Sequence, residues 1–69
     1  MIDIKKGDYF DVCQKGNSTK RVICISEIYN KKYCHAVDVN DLDSAGYINK
    51  IYIVNIENEV EKVLGNVFN

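Results

Sequence analysis

Cys13, Cys24, Cys34 and His35 are the side chains of this sequence that could ligate a soft metal or pair as nucleophile and base. Thiolate and imidazole are the usual ligands of a structural tetrahedral zinc, but such sites draw them in pairs about two to four residues apart. Here the cysteines stand roughly ten residues apart, and the adjacent Cys34 and His35 point to opposite faces of any strand that holds them. The spacing predicts no bound metal and thiols buried as small apolar groups. The same divergence separates Cys34 from His35 as nucleophile and base, which leaves an approach of Cys13 or Cys24 to His35 across strands as the route to such a pair. The run Asp41-Leu42-Asp43-Ser44-Ala45-Gly46 begins like a calcium loop. Ala45 then falls at a ligand position and Tyr52 where a bidentate carboxylate is needed, so the run reads as a turn. No glycine-rich phosphate loop, nucleotide fingerprint or paired-carboxylate signature is present. The expectation is a protein with no catalytic residue and no cofactor.

What remains is recognition. Five tyrosines are interspersed with lysines, and tyrosine gives rigid, amphipathic contact area at low entropy cost. Tyr9, Tyr29, Lys31, Lys32, Tyr33 and Tyr47 are the candidate binding residues. Lys5, Lys6, Lys15, Lys20 and Arg21 also fall near strand ends. Aromatics beside cations are what single-stranded nucleic-acid binders use, yet a single arginine is available for bidentate contacts to phosphate or guanine. The leading expectation is a non-catalytic protein that binds another protein. A single-stranded nucleic-acid module is the alternative, and an oligomer that sequesters a small nucleotide between subunits is the third.

These residues must be positioned by strands. Phe10 and Val12 alternate with Tyr9, Asp11 and Cys13 over Asp8 to Cys13, the period of two of a strand, and Gly16-Asn17-Ser18 then turns the chain. Thr19 to Tyr29 is apolar on both faces and reads as a long central strand, followed by a turn at Asn30-Lys31-Lys32. Tyr33 to Val39 sets Tyr33, His35, Val37 and Val39 on one face, and Tyr47 to Val54 forms a fourth strand. In the tail, Ile56, Val60, Val63, Leu64 and Val67 recur at helical spacing behind Asn55 as N-cap, with Gly65 past the end. That pattern favours a short helix. The competing reading turns the chain at Glu57-Asn58-Glu59 and makes Val60 to Leu64 a fifth strand that closes a small barrel. The fold class is mainly β, or α+β with a helical tail, in one domain over 1–69.

Composition sets the outer bounds. A 46% hydrophobic and 28% charged chain folds as an ordinary globular domain. The net charge of −1 conceals +3 over residues 1–34 and −4 over residues 35–69, a dipole that steers charged partners and favours head-to-tail association. An odd cysteine count without a leading apolar segment predicts reduced thiols in the cytoplasm, and no run is apolar enough to span a membrane. Strands apolar on both faces in so small a core predict a homodimer or higher oligomer. Ile, Lys and Asn supply 25 residues and Arg one, a bias of AT-rich coding that suggests a low-GC bacterium or its phage. A host protein, such as a defence factor that the chain inhibits, is then the expected partner.

Lys6-Gly7-Asp8-Tyr9-Phe10-Asp11-Val12, with Gly16 in the next turn and Val22, Ile25 and Ile28 beyond it, resembles small β-barrels of the KOW and Tudor type over about a third of the chain. Those motifs carry a second glycine before the second strand, where Lys20 and Arg21 stand here. The resemblance implies a module that binds nucleic acid or protein through loop and rim residues, without catalysis.

Overall fold

A computed structural model of the chain describes residues 3–68. Five antiparallel strands form one open sheet: β1 (Asp8–Val12), β2 (Lys20–Cys24), β3 (Tyr33–Asp38), β4 (Tyr52–Asn55) and β5 (Val60–Asn66). A one-turn helix, α1 (Ile56–Glu59), joins the last two strands. The protein is therefore mainly β, with both the helical turn and the fifth strand in the tail. The first four strands run as a meander, and β5 returns to the far side of β1, giving the order β4-β3-β2-β1-β5.

Alternation decides which side chains turn inward. Phe10 and Val12 of β1, Val22 and Cys24 of β2, Cys34 and Ala36 of β3 and Val54 of β4 share one core with Ile4 and Ile56. One cluster thus spans four strands, with Cys34 and Ala36 as its smallest members. The opposite face is also buried at its centre, where Ile23 pairs with Val37 across β2 and β3.

Local chemistry fixes the ends. Gly7 precedes β1 at φ 91, where a side chain would also meet the Phe68 ring at 2.5 Å. The buried Asp8 carboxylate accepts from the Lys5 amide at 3.0 Å and from Asn66 Nδ2 at 2.7 Å, tying the first turn to β5.

Three sequence expectations are corrected by tertiary pairing. The central strand stops at Cys24, because after the Ile25 amide bonds the His35 carbonyl, the Ser26 hydroxyl takes the His35 amide at 2.9 Å in place of a backbone partner. The fourth strand begins at Tyr52, not Tyr47: its ladder with β3 ends at the Ala36–Tyr52 pair, and before it the amides of Tyr47, Lys50 and Ile51 bond carbonyls three residues earlier in the chain. The tail helix stops at Glu59 because β1 has a free edge, and pairing β5 with it satisfies a whole ladder that a longer helix would leave open.

Asn55 caps α1 as its sequence position predicts. Its Oδ1 accepts from the Glu57 amide at 3.1 Å, while Glu59 Oε1 accepts from the Asn55 amide at 2.7 Å. Gln14 Nε2 donates to the Ile53 carbonyl at 2.9 Å and to Glu59 Oε1 at 3.2 Å. These side chains occupy backbone groups on the edge of β4 that a further strand would use.

Candidate functional site

The hairpin that delivers the chain into β3 gathers the strongest set of recognition residues. Tyr29 and Tyr33 exchange backbone bonds of 2.9 Å in both directions, and the Lys32 amide donates to the Tyr29 carbonyl at 3.2 Å. Asn30 at φ 50 and Lys31 at φ 68 make this a type I′ turn. Asn tolerates the left-handed region, whereas lysine does so at a cost. The turn holds the Tyr29 ring 5.8 Å from the Tyr33 ring, and 5.2 Å from the His35 ring in an edge-on arrangement. Such geometry suits the ring quadrupoles and stiffens the group. Lys32 Nζ lies 5.5 Å from the Tyr33 centroid, and Lys31 is exposed at the tip.

Tyr29, Lys31, Lys32 and Tyr33 are thus brought together. Tyr9 and Tyr47 are not joined to them by any aromatic contact among the described residues. The Tyr9 ring lies across Gly65 of β5, where an added methyl would sit 2.8 Å from its hydroxyl. Tyr47 projects from the loop between β3 and β4, 60% exposed, with Lys50 Nζ 5.8 Å from its ring. His35 is the member that sequence reasoning passed over, having been weighed as a base. Its signal was the spacing of two from Tyr33, which places both rings on one strand face.

The thiols take no part in this surface. Cys34 is fully buried on the inner face while His35 lies half-buried on the outer one. Cys24 Sγ donates to the Ser26 carbonyl at 3.1 Å, and the interaction of the two neighbouring core thiols draws the Cys24 thiol down against the opposing effect of burial and raises that of Cys34. Cys13 is half-buried, its Sγ 3.8 Å from the Asn17 carbonyl. Among the described residues no three His, Cys, Asp or Glu side chains converge as metal ligands would, and no helix is long and apolar enough to cross a membrane.

Arg21 Nε pairs with Asp11 Oδ1 at 3.0 Å across β1 and β2, which holds the guanidinium further toward its charged form. This exposed pair orients Arg21 along the sheet, so the single arginine is engaged within its own fold. Comparison of the chain with protein-family models, with curated proteins and with solved structures gives no match.

Proposed function

We propose that the chain is a non-catalytic binding protein that engages another protein through Tyr29, Tyr33 and His35, with Lys31 and Lys32 at the rim. The observation that carries this reading is the conformation of Lys31: a lysine holds a left-handed position at the tip of an aromatic cluster, at φ 68, where glycine would be at ease. Strain of this kind concentrates where a side chain has a task outside the fold. Preformed rings with few rotors then supply contact area without a large ordering cost on binding. A host protein of a low-GC bacterium is the partner that composition suggests, with inhibition by occlusion as the mode of action.

The position of Lys32 over Tyr33 favours single-stranded nucleic acid as the second reading, because a stacked base would meet both a ring face and a cation. Salt separates the two. Phosphate contacts release counterions and give a steep dependence on ionic strength, whereas an aromatic protein interface gives a shallow one. The test introduces a photo-crosslinking residue at Lys31 or, as a control, at Glu57, and measures oligonucleotide affinity at several salt concentrations in parallel. A defined protein adduct from Lys31 alone, abolished by Tyr33→Ala, is the expected result. Sub-micromolar oligonucleotide binding that collapses with salt and with Lys31→Glu would replace the protein reading by the nucleic-acid one.

A further inference from the structure

Apolar side chains exposed one at a time need no explanation, whereas exposed groups of them do. Two such groups stand among the described residues. Leu42, Tyr47 and Ile48 lie on the short helical turns between β3 and β4, with Ile48 89% exposed. Val67 and Phe68 follow β5, with Phe68 75% exposed. Each group is held in place by backbone bonds. The amides of Ser44, Tyr47, Lys50 and Ile51 bond carbonyls three residues earlier, and the Val67 amide donates to the Gly7 carbonyl at 3.0 Å.

The two groups stand at opposite ends of β2. The loop after β3 leaves the sheet where the Val39 amide bonds the Arg21 carbonyl at 3.1 Å, near the start of that strand. The turn at Gly7, on which Val67 and Phe68 rest, is tied to the end of the same strand through a bond of 2.9 Å from the Gly7 amide to the Cys24 carbonyl. Their rims differ in sign. Asp41 and Asp43 flank Leu42 and are exposed, and the one cation of that loop, Lys50, holds its ammonium 5.8 Å from the Tyr47 centroid. At the other end Lys5 and Lys6 are exposed beside Gly7. Asp8 there is buried, its carboxylate taken up by Asn66 and the Lys5 amide, which leaves Asp3 as the exposed acid of that turn. Among the described residues none of these charges is in a salt bridge, since the one such pair joins Arg21 to Asp11.

We propose that the two ends dock on one another between copies of the chain, head to tail. Val67 and Phe68 of one copy meet Leu42, Tyr47 and Ile48 of the next, with Lys5 and Lys6 facing Asp41 and Asp43. A second copy is the occupant because the chain itself presents both halves of the contact, apolar group for apolar group and lysines for carboxylates. The charge of +3 over residues 1–34 and −4 over residues 35–69 then lines up from copy to copy, whereas a symmetric pairing would set ends of like charge together. A contact between unlike surfaces propagates unless its rotation closes a ring, so the product is a chain or ring of copies. It does not depend on the reading of the aromatic hairpin.

Sedimentation velocity of the full chain over a range of concentrations tests the assembly. The mass is expected to rise past that of a dimer as protein is added. Ile48→Asp and Phe68→Asp, each at an exposed position and checked for folding by circular dichroism, should each weaken association about tenfold or more, because each puts an unpaired charge into an apolar contact. Lys6→Glu disables the same end as Phe68→Asp without touching the ring, so that end stays testable if the ring is needed for folding. Mixing is decisive. Ile48→Asp keeps one working end and Lys6→Glu the other, so two variants that are monomeric alone should form a one-to-one complex and nothing larger. A wild type that stays monomeric at millimolar concentration, one that stops at a dimer, or a pair of variants of which one still self-associates would overturn the proposal. So would binding of the monomer to phosphatidylcholine vesicles that Ile48→Asp abolishes, which would assign the loop to a lipid surface.

Discussion

Lys31 sits at φ 68, where the Cβ of an L-residue crowds its own carbonyl at a cost of roughly 1–2 kcal/mol. Glycine at this position removes the crowding. It also adds freedom to the unfolded chain, which costs about 0.4–1 kcal/mol. The exposed ammonium itself contributes little to folding. Lys31→Gly should therefore stabilise the protein by about 0.5–1 kcal/mol, or about 2–8 °C in Tm for a domain of this size. Lys31→Ala is the matched control, since alanine keeps the Cβ and loses the same charge. Urea unfolding of the three proteins, read at the midpoint with the slope held common, measures the difference. The same glycine variant should bind the partner less well, so stability and binding move in opposite directions. If Lys31→Gly unfolds no later than Lys31→Ala, the turn holds no strain at Lys31 and the argument for a retained functional side chain fails.

Gly65→Ala should destabilise by about 1–3 kcal/mol through overpacking, because its methyl would lie 2.8 Å from the Tyr9 hydroxyl; a Tyr9→Ala background should erase most of that loss, and equal losses in both backgrounds would refute the contact. Glu59→Ala removes the acceptor of the 2.7 Å bond from the Asn55 amide and should cost about 1–2 kcal/mol, with faster hydrogen exchange at Asn55 as its local signature. For the buried thiols, the Cys24 value falls from 9.0 to about 7 on folding, so the folded protein binds fewer protons than the unfolded chain between those limits. Stability contributed by Cys24 is complete above pH 9 and is lost as pH falls toward 7. Cys34 is raised above 9.0 and acts in reverse, losing stability as pH climbs past that value. Thiolate absorbance should accordingly rise near pH 7 and disappear from that range in Cys34→Ala; an onset only above pH 9 in the wild type would contradict the pairing.

Much of the local structure was legible in residue order alone. Phe10 and Val12 had to share a face, as had Val22 and Cys24, because a strand alternates its side chains, and these four meet in the core. Asn30-Lys31-Lys32 announced a turn, and Asn55 a helix start, because their side chains and backbone preferences act within a few residues. By the same rule Tyr33 and His35 were committed to one face before any partner was known.

Long-range pairing decided the rest. Nothing local to Val60–Asn66 distinguishes an apolar helical stripe from an edge strand. The vacant side of β1 does, since a ladder along it satisfies backbone groups that no helix could reach. The same rule shortened the fourth strand, whose expected residues 47–51 lie outside the ladder that ends at the Ala36–Tyr52 pair. It also divided the tyrosines. Tyr29 and Tyr33 meet across a turn that sequence marks, but the placement of Tyr9 over Gly65 and of Tyr52 on Asp38 depends on strands that meet only after folding.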